Sequence, residues 1–139
     1  MNITVLGAGG WGTALAILLH NNKHKVTIWE FEKEYAHTLS EFRENFYYLP
    51  KVKIPPGIVI TNDLPMAVSH CDILLIATPT QYIRNVIEEI KDFEFGDKII
   101  LSVSKGIENK SFMTVSEIFM DVFTDVLFSI RQLIALSYF

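Results

Sequence analysis

The sequence predicts an α/β domain built on a doubly wound parallel sheet, on three observations. Short apolar or β-branched segments alternate with segments of helical periodicity, which is the order expected of parallel strands joined by helices. Some of the strand-like segments, above all DILLIATP at 72–79, are apolar at nearly every position, as in strands buried on both faces. Half of the 139 residues are apolar, which is enough for one globular core.

The first part of the chain supplies three strands and two helices in alternation. They are strands at residues 2–6, 26–29 and 58–61 and helices at residues 11–21 and 32–43. The first helix ends at Asn21 and Asn22, which tolerate the left-handed conformation of a helix end. Residues 45–57 hold three prolines without a clear period, so no regular element is predicted there.

The second part continues the same alternation. Strands are predicted at residues 72–79 and 98–104, and an amphipathic helix at residues 81–91. The chain shows no internal repeat, no low-complexity tract and no domain linker. These elements complete the predicted sheet.

Charge and cysteine content exclude several classes of protein. A net charge of −4 and a pI near 5.5 argue against a nucleic-acid-binding surface, which requires a basic patch. The single cysteine, Cys71, excludes an internal disulfide and precedes an apolar run, so we expect a buried, inert thiol in a reducing compartment. The sequence shows no basic leader and no apolar run of roughly 18 residues. We therefore expect a soluble cytoplasmic protein that neither spans a membrane nor binds nucleic acid.

A glycine-rich segment, GAGGWG at 7–12, lies between the first predicted strand and the first predicted helix. Gly7, Gly9 and Gly12 spell G-x-G-x-x-G, which in this context is a dinucleotide-binding fingerprint. Gly7 would make the tight turn, Gly9 would let the backbone approach a pyrophosphate, and Gly12 would let the helix pack close to the strand. The alternative is a glycine turn of no further function. The context favours a dinucleotide-binding fold of the Rossmann type.

An acidic residue completes this fingerprint. Glu30 ends the second predicted strand, 23 positions after Gly7, and would accept hydrogen bonds from the adenosine ribose hydroxyls. Its carboxylate, with Glu32 nearby, would repel the 2′-phosphate of NADP, and the cation close by is Lys33 rather than an arginine. The sequence therefore favours NAD over NADP as cofactor.

Four blocks of sequence resemble the NAD(P)-dependent glycerol-3-phosphate dehydrogenases of bacterial type. The blocks are GAGGWGTALA at 7–16, NFYYLP at 45–50, DILLIATPTQYIRNV at 72–86 and SVSKGIE at 102–108. They occur in the family's order, and the resemblance covers residues 1–118. The family reduces dihydroxyacetone phosphate to sn-glycerol 3-phosphate, a precursor of phospholipid backbones. The resemblance implies that this chain is the cofactor-binding domain of such an oxidoreductase.

The resemblance also implies further cofactor-binding residues. Gly10 and Trp11 would line the pyrophosphate and nicotinamide side, while Phe31 would flank the adenosine. Tyr48 would reach the cofactor from the irregular segment, and Pro79 would shape the pocket near the nicotinamide ribose. Lys105 would contact cofactor and substrate, and it follows a buried strand at the edge where such sheets bind ligands.

Beyond residue 118 the sequence departs from the family. Full-length members are more than twice as long, and their helical second domain carries the general acid–base lysine and the groups that bind the substrate phosphate. The resemblance therefore implies no catalytic acid–base residue in this chain. We expect residues 119–139 to form an apolar helical tail, with Glu117, Asp121 and Asp125 in one acidic stripe. The tail could pack on the sheet, form a homo-oligomer, or reflect a truncated or frame-shifted reading of a longer gene.

Three functional hypotheses remain open from the sequence. In the first, the chain is part of a glycerol-3-phosphate dehydrogenase. In the second, it is a stand-alone NAD-binding module or one half of a split enzyme with a separate C-terminal half. In the third, it belongs to a related dehydrogenase that acts on another hydroxyacid. Arg84 could touch a substrate phosphate, although an ordinary helix-surface arginine is favoured. His20 and His24 are four residues apart but lack a third ligand, so they are expected to be solvated rather than metal-binding.

Overall fold

The computed structural model describes residues 1–93, 95–123 and 132–135, the last four as backbone. The strands are β1 Asn2–Leu6, β2 Lys25–Trp29, β3 Glu44–Asn45, β4 Leu49–Lys53, β5 Val59–Thr61, β6 Ile73–Ile76, β7 Ile99–Ser102 and β8 Gln132–Ala135. The helices are α1 Gly10–Asn21, α2 Lys33–Phe42, α3 Leu64–Ser69, α4 Thr80–Ile90 and α5 Val115–Val122.

Within the described residues, six strands form one parallel sheet in the order β5-β2-β1-β6-β7-β8. Strand β1 pairs with β2 through Val5 opposite Ile28 and with β6 through Val5 opposite Leu75. The chain therefore builds one half of the sheet outward from β1 to β5 and the other half outward from β6 to β8. This arrangement confirms the predicted doubly wound α/β fold, and the reversal of strand order lies between β1 and β6.

The hydrophobic core has two parts. One includes Leu6, Leu74 and the inner face of α4, and the other includes Val5, Ile28 and Ala16 of α1. Neighbouring residues of β1, Val5 and Leu6, thus belong to different parts of the core because successive strand side chains point to opposite faces. Burial on both faces explains why these strands are apolar at nearly every position.

Two features were not predicted from the sequence. Strands β3 and β4 form an antiparallel hairpin in the proline-containing segment. Helix α3 begins at Leu64, where the Asp63 side chain accepts a hydrogen bond from the Met66 amide and a proline stands in the first turn. The end of α1 also differs, because Asn22 has φ −80° and the left-handed residue is Lys23, with φ 68°.

The C-terminal tail corrects one prediction. Helix α5 is capped reciprocally by Thr114 and Glu117 and ends at Val122. Residues 132–135 form strand β8, which pairs in parallel with β7, so the predicted helix over 119–139 is wrong for these four residues. An apolar segment without periodicity is also compatible with a sheet strand, and the edge of β7 offers the hydrogen-bonding partner. Asp125, the third member of the predicted acidic stripe, lies outside the described residues.

Cys71 is buried, and its burial raises the pKa of the thiol. Its Sγ lies 3.3 Å from the Val68 carbonyl oxygen. The expectation that the thiol is buried is confirmed. Across residues 1–93, 95–123 and 132–135, the structure contains no helix with the length and apolar character needed to cross a membrane.

Candidate functional site

The candidate site lies where the carboxyl ends of β1, β2, β6 and β7 meet. Because parallel strands end at the same edge, the loops that follow them are neighbours, and ligands of such sheets bind where the strand order reverses. The loop after β1 carries the glycine-rich segment, and the loop after β2 begins with Glu30. The loops after β6 and β7 carry Pro79 and Lys105. The fold thus brings the predicted site residues to one edge of the sheet.

Gly7 makes the turn that leaves β1. Its φ of +111° is in the region that side chains disfavour, and an added Cβ would lie 3.0 Å from the Ala77 carbonyl oxygen and the Thr78 amide nitrogen. The Gly7 amide donates to the Trp29 carbonyl at 3.0 Å. Both conformation and close packing therefore require glycine here.

Gly12 and Gly10 mark two close approaches of backbone to backbone. A Cβ on Gly12 would lie 2.0 Å from the Gly7 carbonyl oxygen, so α1 packs directly on the loop that precedes it. A Cβ on Gly10 would lie 2.5 Å from the Tyr48 carbonyl oxygen in the turn of the β3–β4 hairpin. These contacts leave no room for side chains at either position.

Gly9 differs because an added Cβ would meet no atom within 4 Å. It is the N-cap of α1, and the Thr13 amide donates to its carbonyl at 2.9 Å. The amides of the first helical turn precede this bond, have no partner within the helix, and lie at the positive end of the helix dipole. Open space beside unpaired amides is the arrangement that binds a phosphate group. The loop therefore fits a pyrophosphate.

Glu30 is held beside the glycine-rich loop. Its carboxylate accepts hydrogen bonds from the Ala8 amide at 3.3 Å and from the Glu32 amide at 3.1 Å. Partial burial raises the pKa of the carboxyl above its ordinary value, while these backbone donors oppose the rise. The hydrogen bonds direct the carboxylate toward the loop, where it is available as an acceptor.

Three predicted aromatic residues are exposed around the site: Trp11 is 60% exposed, Phe31 67% and Tyr48 61%. Trp11 lies in the first turn of α1, and Phe31 follows Glu30 with its ring edge-on to Trp29 at 6.2 Å. Tyr48 lies in the hairpin turn, and the centre of its ring is 6.1 Å from the centre of the Tyr35 ring. Large exposed aromatic surfaces are suited to contact flat rings of a ligand.

Asn45 is a residue that the sequence reasoning missed. It is fully buried in the short strand β3. Its amide nitrogen donates to the Ala8 carbonyl at 2.7 Å and to the Thr13 hydroxyl at 2.8 Å. It begins the NFYYLP block, in which the resemblance implies a role only for Tyr48. A buried asparagine that reaches the glycine-rich loop could be identified only from the structure.

Threonine and serine hydroxyls join the loops after β6 and β7 to each other and to the end of β1. Thr78 donates to the Leu6 carbonyl at 2.9 Å, and Ser104 donates to the Thr78 carbonyl at 2.6 Å. Thr80 donates to the Lys105 carbonyl at 2.7 Å. Pro79 and Lys105 are themselves exposed. The backbone on either side of Lys105 is therefore fixed, while its side chain stays accessible at the sheet edge.

Arg84 is engaged within the protein. Its guanidinium donates to both carboxylate oxygens of Glu108, at 3.0 and 3.1 Å from Nε, and to Asp121 at 2.5 Å. These bonds raise the pKa of the guanidinium further and lower that of the Glu108 carboxyl. Arg84 thus joins α4 to α5 and to the loop bearing Lys105, which favours the interpretation of a structural helix arginine.

The remaining candidates from the sequence do not form a site. Among the residues that the structure describes, no group of three or more His, Cys, Asp and Glu side chains could hold a metal ion. His20 is half-buried, with its ring against Gly57. It is therefore packed rather than fully solvated as expected.

The chain matches a known family of proteins along most of its length. Residues 2–133 match the family model described as the NAD-dependent glycerol-3-phosphate dehydrogenase N-terminus. This match runs past residue 118, where the resemblance seen in the sequence ends. The chain is 43% identical to glycerol-3-phosphate dehydrogenase [NAD(P)+] of Fusobacterium nucleatum over 118 residues, or 85% of its length. Over 135 residues, or 97% of the chain, it is 40% identical to the same-named protein of a Geobacter species.

Solved structures show the same relation. The crystal structure of glycerol-3-phosphate dehydrogenase from Coxiella burnetii matches 88% of the chain with a TM-score of 0.81 and 28% identity. The chain covers 37% of that structure, and 35% and 40% of the Fusobacterium and Geobacter proteins. It therefore spans little more than a third of the length of the relatives that it matches.

Proposed function

Because the chain belongs to the family of the NAD-dependent glycerol-3-phosphate dehydrogenases, we propose that its residues 1–118 bind NAD and hold it for hydride transfer. The observation that carries this proposal is the glycine-rich loop. Gly7 and Gly12 are packed against backbone, whereas the space beside Gly9 is open at the start of α1. This combination gives a pyrophosphate direct access to main-chain amides.

The two ends of the cofactor would be recognised separately. Glu30 would accept hydrogen bonds from the adenosine ribose hydroxyls, and Phe31 would flank the adenine. Gly10, Trp11, Tyr48, Pro79 and Lys105 would line the pyrophosphate and nicotinamide side. In support, Glu30, Phe31, Pro79 and Lys105 lie in loops that follow strands of the main sheet, whereas Gly10 and Trp11 begin α1. Tyr48 lies against Gly10, and the three aromatic rings are exposed.

The same carboxylate favours NAD over NADP. A 2′-phosphate placed at the ribose would meet the Glu30 carboxylate, which the Ala8 and Glu32 amides hold in position. Lys33, the first residue of α2, is the nearest cation in sequence. We propose that this chain prefers NAD, although its relatives are named for both cofactors.

The proposed reaction is the reduction of dihydroxyacetone phosphate to sn-glycerol 3-phosphate. The nicotinamide, when bound, supplies the hydride for the C2 carbonyl carbon. Lys105 would bind a substrate oxygen or phosphate with its ammonium group, and the fixed backbone around it would set its reach. The acid–base lysine implied by the resemblance belongs to the family's second domain. Residues 1–118 alone would therefore bind cofactor with little turnover.

A second candidate function is a cofactor-binding module that acts with another chain. It is supported by strand β8, which stands at one edge of the sheet that the described residues form, because an edge strand can pair with a further chain. We propose a second copy or a separate C-terminal half as the partner of the tail.

We also propose a cytoplasmic location, supported by the free cysteine, which suits a reducing compartment. Cell fractionation with a tagged chain tests it. Recovery of the chain in a membrane or secreted fraction would contradict this location.

The central experiment is a titration of the purified chain with NADH, followed by fluorescence. We expect saturable binding that is weakened at least about tenfold in Gly9→Val, because the valine side chain would enter the pyrophosphate space. Thermal unfolding of the same variant serves as the control and should be close to that of the original chain. Absence of NADH binding, or equal binding by Gly9→Val, would overturn the proposal.

A second measurement separates the two candidate functions. Reduction of dihydroxyacetone phosphate is followed with the chain alone and after adding the separately expressed C-terminal half of the Fusobacterium relative. Turnover by the chain alone supports a complete enzyme, and turnover only after addition supports a split one. Binding of NADH without turnover in either case supports a binding module. Size-exclusion chromatography with light scattering tests for a second copy.

A further inference from the structure

The side-chain amide of Asn45 uses its full hydrogen-bonding capacity inside the protein. Its Nδ2 donates to the Ala8 carbonyl at 2.7 Å and to the Thr13 hydroxyl at 2.8 Å. Its Oδ1 accepts from the Tyr35 hydroxyl at 2.5 Å and from the Tyr48 amide at 3.1 Å. Two donors and two acceptor positions are all that such an amide offers. Asn45 thus joins the glycine-rich loop, α1, α2 and the hairpin turn.

These bonds place the hairpin turn on the first residue of α1. The Tyr48 carbonyl oxygen lies where it would be 2.5 Å from a Cβ on Gly10. The Tyr48 ring is exposed, as is the Trp11 ring one residue further along α1. The hairpin strands themselves are short, two and five residues, and their side chains are mostly exposed. The position of Tyr48 therefore depends strongly on the buried amide.

The bonds also act on the pyrophosphate loop directly. Ala8 lies between Gly7 and Gly9, and its amide donates to Glu30 while its carbonyl accepts from Asn45. The loop is thus held from the β2 side by a carboxylate and from the hairpin side by an amide. A fixed loop loses less conformational entropy when a ligand binds.

We propose that Asn45 is a positioning residue of the dinucleotide site. It sets the place of Tyr48 relative to Gly10 and fixes the Ala8 backbone, without touching the cofactor itself. This inference rests on the proposed binding of NAD. It assigns the NFYYLP segment two roles: Tyr48 offers the contact, and Asn45 determines where that contact stands.

The test is a double-mutant cycle on NADH affinity with Asn45→Ala, Tyr48→Ala and the double variant. Removal of the Asn45 amide leaves two backbone groups and two hydroxyls without their partner, so we expect the Kd for NADH to rise about tenfold. In the Tyr48→Ala background the same change should raise the Kd far less, about twofold. Asn85→Ala, an exposed asparagine on α4, is the matched control and should bind as the original chain does.

A readout without cofactor accompanies the cycle. Amide hydrogen exchange of Tyr48 should become faster in Asn45→Ala, because that amide loses its acceptor, while exchange in β7 stays unchanged. Asn45→Asp, which keeps the volume but loses both donors, repeats the cycle if the alanine variant does not fold. Failure of both variants to fold would overturn the proposal, because Asn45 would then be required by the fold itself.

The outcomes distinguish this inference from the proposed function. If the original chain does not bind NADH, both fail. If it binds but the Asn45 variants bind within about twofold of it, the positioning role alone is refuted. An equal loss of affinity with and without the Tyr48 ring would also refute it, because the loss would then reflect general destabilisation. A loss that depends on Tyr48, with faster exchange at its amide, supports the inference.

Discussion

Two glycines of the glycine-rich segment, Gly9 and Gly12, should respond differently to substitution by alanine. At Gly12 the new Cβ would lie 2.0 Å from the Gly7 carbonyl oxygen and 3.2 Å from the Ala77 Cβ. At Gly9 it would meet nothing within 4 Å, and the backbone, with φ −65° and ψ 177°, suits any residue. Gly12→Ala should therefore weaken the fold, whereas Gly9→Ala should weaken cofactor binding.

The size of the Gly12 effect follows from two opposing terms. Alanine within a helix is favoured over glycine by about 1 kcal/mol. Overpacking costs typically 1–3 kcal/mol, and the upper end applies because the obstructing atom is a carbonyl of a turn that itself packs against Ala77 and Thr78. The net loss is about 2 kcal/mol, which for a chain of 139 residues lowers the Tm by about 6–10 °C.

The assay is thermal unfolding by circular dichroism without cofactor, together with the NADH titration. Gly9→Ala should lower the Tm by no more than about 4 °C, because Gly9 is the N-cap of α1, where glycine is favoured over alanine by about 0.5–1 kcal/mol. A Gly12→Ala variant as stable as the original chain would refute the reasoning, because it would mean that α1 does not pack on Gly7 as described. A larger loss of stability in Gly9→Ala than in Gly12→Ala would refute it as well.

Three further predictions concern charged and thiol groups. Glu30→Arg should shift the preference from NADH toward NADPH by about tenfold or more, as measured by fluorescence titration. Glu30→Gln is the control that removes only the charge, and an unchanged ratio of the two Kd values in Glu30→Arg would contradict the role assigned to Glu30. Glu108→Gln should lower the Tm near neutral pH, more than Glu88→Gln on the exposed face of α4 does. Because Arg84 lowers the pKa of the Glu108 carboxyl in the fold, its contribution is present above the ordinary glutamate pKa and is lost as pH falls through the lowered value; a difference in Tm that persists at the lowest pH would contradict this. Cys71 should react with a thiol reagent only after denaturation, and fast reaction in the native protein would show that the thiol is accessible.

The strands and helices that are read correctly from the sequence have local causes. The helix of residues 11–21 and the strand of residues 2–6 differ from α1 and β1 by at most one residue. Periodicity and turn chemistry act within a few neighbouring residues, so they are visible in the chain itself. Helix α3 was missed although its cap, Asp63, and its proline were equally local signals.

The tail shows where local reasoning fails. Residues 132–135 lack any period that distinguishes a buried helix from a buried strand. These residues form a strand because the edge of β7 offers them hydrogen-bonding partners, with Ile100 opposite Leu133. That edge is some thirty residues away in the chain, and no local pattern indicates whether it is free to accept a partner.

The candidate site divides in the same way. The spacing of Gly7, Gly9 and Gly12 and the acid at Glu30 follow from the sequence, because a tight turn, an accessible backbone and a ribose acceptor each require a residue type. Which glycine is open and which is packed depends on Ala77 and Tyr48, which belong to other loops.

The roles of Asn45 and Arg84 depend entirely on partners distant in the chain. Asn45 bonds to Ala8, 37 residues away, and Arg84 bonds to Glu108, 24 residues away. Residue type and local spacing thus identify a dinucleotide-binding loop at the start of a doubly wound sheet. The folding of the chain decides which polar side chains are buried with partners and which remain exposed to a ligand, because hydrogen bonds and packing join residues that the sequence separates.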